Sequence, residues 1–211
     1  MSDTVGVVDI GSNSVKLLVL DGNDVVHRDS VVTRLGSGVN ATGNLSDDSI
    51  AATRTRFSEI RTLLDHHGVT SAWAVATAAV RNAANSASFV EMARNTLGFD
   101  VAIIDGVTEG SLSFLGAQRN LSLPPGSGPV TVVDIGGGST EFAVGNPGET
   151  PRVISIPYGA RNLTEKILRH DPPRPEELTN AIGAVIDEVD DVLREIPELE
   201  TCERLVGVAG T

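Results

Sequence analysis

Val7-Val8-Asp9-Ile10-Gly11-Ser12-Asn13-Ser14 and Val132-Val133-Asp134-Ile135-Gly136-Gly137-Gly138-Ser139 are two copies of one pattern, set 125 positions apart. Carried on without a gap to Val19 and Val144, the copies share seven of thirteen residues. Each reads as an apolar strand ending at an aspartate, a tight Gly/Ser turn and a second strand. One such turn is ordinarily just a hairpin. Two at this spacing predict a duplicated domain whose facing turns hold one anionic ligand between them.

The flanking residues extend this reading to an α/β architecture. Strands are expected over 5–9, 15–20 and 25–32, an antiparallel meander, followed by a loop rich in Gly, Asn and Thr over 33–44. Ser46, with Asp47 and Asp48 behind it, starts a helix that ends before Gly68. Next come a strand over 72–77, a helix over 86–97 closed by Gly98, a strand over 101–104 and a helix capped by Thr108. Pro124-Pro125-Gly126-Ser127-Gly128-Pro129 breaks both helix and strand and is the expected boundary, giving domains 1–125 and 126–211. The second copy adds a third strand near 153–156 and a helix over 160–168. After Pro172-Pro173-Arg174-Pro175, a longer helix carries Leu178, Ile182, Val185, Ile186, Val189 and Leu193 on one stripe. A last strand over 205–208 runs into Ala209-Gly210-Thr211. The second half therefore holds fewer elements than the first, and a truncated form of a longer protein is expected.

Composition narrows the function. The chain has 211 residues, 40% of them apolar, and a formal charge of −12. So acidic a chain argues against broad binding to nucleic acid or anionic membranes, which reward a basic face. A small or linear phosphate ligand remains compatible with a locally positive site. Fourteen of the sixteen basic residues are arginine, whose planar guanidinium matches phosphate oxygens in pairs. Cys202 is the sole cysteine, so an internal disulfide and a cysteine metal cluster are both excluded. No signal peptide or membrane span is recognisable, and a cytoplasmic location is expected.

Asp9 and Asp134 occupy equivalent strand ends. Either alone reads as an aspartate capping its own turn. As a pair they point to Mg²⁺, held directly or through water. Gly11, Ser12, Asn13 and Ser14, and likewise Gly136, Gly137, Gly138 and Ser139, offer backbone N–H groups and hydroxyls that suit phosphate oxygens. Lys16 and Glu141 match in the repeat, one basic and one acidic. Glu141 is placed to ligate metal or orient a water, while Lys16 is divided between phosphate contact and solvent exposure. Glu109 lies at a helix start, where an acid serves the helix dipole alone. Arg81, at a strand end, suits either phosphate or a surface ion pair. His27, His66, His67 and His170 follow no metal-ligand pattern and read as surface residues.

Taken in order, several segments resemble the exopolyphosphatase and guanosine-pentaphosphate phosphatase (Ppx/GppA) family. They are Val8-Asp9-Ile10-Gly11-Ser12-Asn13-Ser14, Arg34-Leu35-Gly36, Thr77-Ala78-Ala79-Val80-Arg81-Asn82-Ala83, Asp134-Ile135-Gly136-Gly137-Gly138-Ser139-Thr140-Glu141 and Val206-Gly207-Val208-Ala209-Gly210-Thr211. The resemblance implies the actin-like, Hsp70-like and sugar-kinase-like fold: duplicated ribonuclease H-like α/β domains with an interdomain cleft, the second domain here incomplete. It implies Mg²⁺-dependent hydrolysis of the terminal phosphoanhydride of inorganic polyphosphate or guanosine pentaphosphate, with a homodimer left open. By the matching motif, Glu109 falls where the family places its catalytic base, Glu141 where a second glutamate supports metal and water, and Arg81 where an arginine faces the phosphate chain. One departure is visible. The family's Glu-Glu-Ala-Arg-like run at the base reads Thr108-Glu109-Gly110-Ser111 here. Two other readings stay open: a non-catalytic sensor of polyphosphate or an alarmone, and an ATP-dependent small-molecule kinase of the same fold.

Overall fold

Alternation builds the first sheet. In β1 (Thr4–Ile10) and β2 (Ser14–Asp21) every second residue is buried, placing Val8, Ile10, Val15, Leu17 and Val19 on one face. The computed structural model describes residues 4–121 and 128–209, so most of the Pro/Gly run at 124–129 and the last two residues lie outside the described residues. Strand β3 (Asp24–Val32) completes the meander, and β4 (Ser71–Ala76) and β5 (Val101–Ile103) add in parallel, giving the order β3-β2-β1-β4-β5. After α1 (Val39–Thr42), α2 (Asp47–His66) begins at Ser46, whose side chain accepts the Ser49 N–H. A one-turn helix α3 (Ala78–Arg81) follows β4, so Arg81 ends a helical turn rather than a strand. Next, α4 (Ser86–Leu97) stops at left-handed Gly98. Phe57, Ile60 and Leu64 of α2 and Phe89, Ala93 and Leu97 of α4 close over the buried sheet face as one core.

The second unit repeats the plan. β6 (Val130–Ile135), β7 (Thr140–Gly145) and β8 (Arg152–Ile156) form an antiparallel meander, and β9 (Leu205–Ala209) pairs in parallel with β6. The order β8-β7-β6-β9 matches β3-β2-β1-β4 strand for strand. The duplication read from thirteen residues thus extends to the topology of both sheets.

Helix α5 (Gly106–Asn120) packs on the second sheet, burying Phe114 and Ala117 against Val130, Val132 and Ala143. The two compact units accordingly divide between Ile104 and Asp105, ahead of the 125/126 boundary suggested by the Pro/Gly run. Its cap also differs from expectation. Asp105, in extended conformation, accepts the Thr108 N–H at 2.7 Å, so the helix starts at Gly106 and Thr108 lies inside it. The unit is completed by α6 (Ala160–Lys166), α7 (Pro175–Glu195) and α8 (Glu198–Thr201). Helix α7 buries Ala181 and Val192 but leaves Leu178, Ile182 and Ile186 of its apolar stripe exposed. No described helix is long and apolar enough to cross a membrane.

Candidate functional site

The two turns share one backbone. In the first, the Gly11 N–H closes on the Ser14 carbonyl at 3.0 Å; in the second, Gly136 closes on Ser139 at 3.0 Å. Strand register then places Asp9 opposite Lys16 and Asp134 opposite Glu141. In both turns carbonyls at the tip are tied back into the protein. Asn13 accepts from Thr33 and Arg34 at 3.0 and 2.9 Å, and Ser12 accepts from Gly36 at 2.8 Å. In the second unit, Gly136 accepts from Ala160 at 2.9 Å and Gly137 from Arg161 and Asn162 at 3.1 and 3.2 Å. Fixing the carbonyls this way orients each turn by its acceptors and leaves its N–H groups as the chemistry on offer. Among the described residues no partner accepts from the N–H groups of Ser12, Asn13, Gly137 or Gly138. Such a nest favours an anion.

Two residues that hold the second turn escape a reading by motif. Asn162, 5% exposed, donates its side-chain amide to the Gly138 carbonyl at 2.6 Å. Gly159 lies flat on the turn: a Cβ there would stand 2.5 Å from the Gly137 carbonyl carbon and 2.6 Å from the Gly138 nitrogen. Only glycine permits that approach.

Charge separates the turns. In the first unit, Lys16 Nζ lies 3.0 Å from Asp9 Oδ2, so a cation already occupies that carboxylate. In the second, Asp134 and Glu141 are direct cross-strand neighbours, and like charges so placed repel. Serines moderate this: Ser113 donates to Asp134, and Ser155 donates to Glu141 Oε1 at 2.7 Å. Glu141 is only 1% exposed. Burial beside a second acid is costly for a carboxylate, and a positive charge at the site offsets that cost.

The start of α5 rests on this pair. Built onto Gly110, a Cβ would come within 2.6 Å of Val153 Cγ1 and 3.1 Å of the Glu141 Cβ; built onto Gly106, it would collide with Ser155. These glycines, four apart on one helix face, let the helix backbone touch β7 and β8 beside Glu141. Glu109, half-buried between them, sits in the first turn of that helix. The Gly110 that departs from the family run therefore has a steric role beside Glu141.

In the first unit, Arg81 donates to the Ile104 carbonyl at 2.6 Å. Asp134 and Glu141 suit Mg²⁺, which takes one or two carboxylates from a protein and keeps its other positions for water and phosphate. Each has acceptor capacity beyond its serine. Among the described residues no group of three or more His, Cys, Asp or Glu side chains is arranged to hold a metal alone. Asp9 suits a metal less, because Lys16 would compete for it. One carboxylate with a strongly lowered pKa, Glu177 at about 2, lies at the start of α7. The Arg174 N–H, His170 and the Arg169 N–H hold its charged form, a capping arrangement that also engages His170.

The model of the Ppx/GppA phosphatase family matches residues 12–211. Exopolyphosphatase 2 of Mycobacterium tuberculosis is 37% identical over 220 residues, covering 98% of this chain and 68% of that protein. A solved exopolyphosphatase-like protein superposes with a TM-score of 0.90 at 30% identity, over 99% of this chain and 66% of its own. The Aquifex aeolicus family member superposes with a TM-score of 0.72 at 36% identity, over 90% of this chain and 62% of its own. The chain thus spans about two thirds of the length of these relatives.

Proposed function

Because the chain belongs to the Ppx/GppA phosphatase family, with its actin-like α/β fold, we propose that it is a phosphoanhydride hydrolase releasing terminal phosphate from inorganic polyphosphate, dependent on Mg²⁺, with guanosine pentaphosphate as a second substrate. The observation that carries this reading is the pairing of Asp134 with Glu141 at the end of a glycine turn whose carbonyls are tied back. Phosphoryl transfer asks a protein chiefly to position groups and neutralise charge, and the parts divide accordingly.

Gly11, Ser12, Asn13 and Ser14, with Gly136, Gly137, Gly138 and Ser139, bind phosphate oxygens through backbone N–H groups and hydroxyls. Lys16 and Arg81 add positive charge. Asp134 and Glu141 hold Mg²⁺, which when bound neutralises charge on the phosphate oxygens. Asp9 fixes Lys16, and it ligates metal only if that ion pair opens. Glu109 orients a water and accepts its proton as the water oxygen bonds to the terminal phosphorus. The bridging P–O bond breaks, and its electron pair stays on the oxygen that ends the shortened chain. Ser155 keeps the Glu141 carboxylate in place throughout.

A non-catalytic sensor would account for the altered residues around Glu109, but the close approach that Gly110 permits gives that glycine a structural reason of its own. The test is phosphate release from polyphosphate and from guanosine pentaphosphate, side by side, with Mg²⁺ and with excess chelator. Release from polyphosphate that chelator abolishes is expected. Thermal stabilisation by polyphosphate without any release would favour the sensor instead.

A further inference from the structure

Arg34 has a backbone that its side chain does not explain. Its φ is +52°, and among the described residues only Arg34 and Ala209 combine a positive φ with a side chain. Left-handed backbone is costly for a residue with a Cβ, and an arginine has no side-chain carbonyl to offset it as asparagine does. Nearby, the chain uses glycine for the same conformation, at Gly38 with φ 74° and Gly43 with φ 73°. The conformation at Arg34 is imposed on both sides. Its N–H donates to Asn13 at 2.9 Å, its carbonyl accepts from Ser37 at 2.9 Å, and the adjoining Thr33 and Leu35 are buried. Observed strain of this kind is a reason to look for function.

The side chain itself is exposed, and no ion pair or hydrogen bond to it occurs among the described residues. Arg28 and Arg54 are alike in this among the described residues. Arg56, Arg61, Arg94, Arg152, Arg161 and Arg194 all meet carboxylates. Arg34 alone among the arginines is hydrogen-bonded through its own backbone to the Ser12-Asn13 turn. Resting on the polyphosphate reading, we propose that Arg34 is a further phosphate-binding residue of the first turn, its guanidinium taking paired oxygens of the polyphosphate chain. The left-handed backbone is then the cost of anchoring a cation at the turn, where glycine would anchor nothing.

Glycine separates binding from folding, because Arg34→Gly removes the guanidinium and relieves the backbone together. Phosphate release from polyphosphate is measured for wild type, Arg34→Gly and Arg34→Lys at two ionic strengths, alongside thermal melting. Arg34→Gly is expected to raise KM roughly tenfold, the scale of one charge-assisted hydrogen bond. Its kcat stays within about twofold of wild type, KM loses part of its salt dependence, and Tm holds or rises by about 2–4 °C. Arg34→Lys, keeping charge without the planar fork, falls between. An unchanged KM in Arg34→Gly overturns the assignment, as does a KM increase accompanied by a lower Tm, which would mark a purely structural residue. A wild-type chain that neither binds nor hydrolyses polyphosphate overturns the underlying reading and this assignment with it.

Discussion

At Asp9 the strand-end carboxylate meets a lysine across the turn, whereas at Asp134 it meets a second carboxylate. The backbones around these pairs are alike: the same closing hydrogen bond, the same strand register and carbonyls tied back in each unit. What holds the carbonyls is different. A loop over 33–36 does so in the first unit, and the start of α6 does so in the second. Duplication therefore preserved a device for presenting N–H groups, while Ser12/Gly137, Asn13/Gly138 and Lys16/Glu141 diverged in charge or size. The first turn is internally neutralised and suited to binding. Around the second, negative charge is concentrated and suited to metal and water.

This contrast can be broken most forcefully at Glu141. Glutamine there keeps an acceptor for Ser155 and removes the charge, so kcat for phosphate release should fall by about 10²–10⁴ with little loss of fold. Retained turnover in Glu141→Gln would put the chemistry elsewhere. Gly159→Ala comes next, because its Cβ would press into the Gly136–Gly138 backbone. Overpacking of that order costs about 1–3 kcal/mol, read as a lower Tm, and turnover should drop as the turn shifts. An unaffected melting curve would show that the turn yields freely. Lys16→Gln is the mildest and sharpens the comparison from the other side. Its exposed ion pair with Asp9 is worth about 0–1 kcal/mol, so stability should barely change while KM rises about three- to tenfold. A kcat loss without a KM change would erase the proposed division between the turns.

The repeat was legible because it is local and uninterrupted: Asp9, Gly11 and Ser14 recur in sequence as Asp134, Gly136 and Ser139. The meanders and the alternation of later strands with helices followed from periodicity and breakers, whereas the parallel pairing of β4 and β9 came from the structure. What escaped is non-local. Gly159 and Asn162 reach the second turn across about twenty intervening residues, and a glycine packed against backbone leaves no periodic trace. Gly106 and Gly110 did leave one. Two glycines in the first turns of a helix cost about 1 kcal/mol each relative to alanine, and such a cost signals a close approach. Gly110 also stands out as a departure from a family motif, and the structure gives it a steric reason beside Glu141. The stripe on α7 shows the opposite limit, since its period identified the helix correctly but not which residues are covered.

Glu109 decides whether hydrolysis is run by a glutamate at the start of α5 while separate groups bind the phosphates. The decisive measurement is phosphate release and polyphosphate binding, both on Glu109→Gln. Release should fall by about 10²–10⁴ with binding within a few-fold of wild type. Release at the wild-type rate, or loss of binding in step with release, would contradict it.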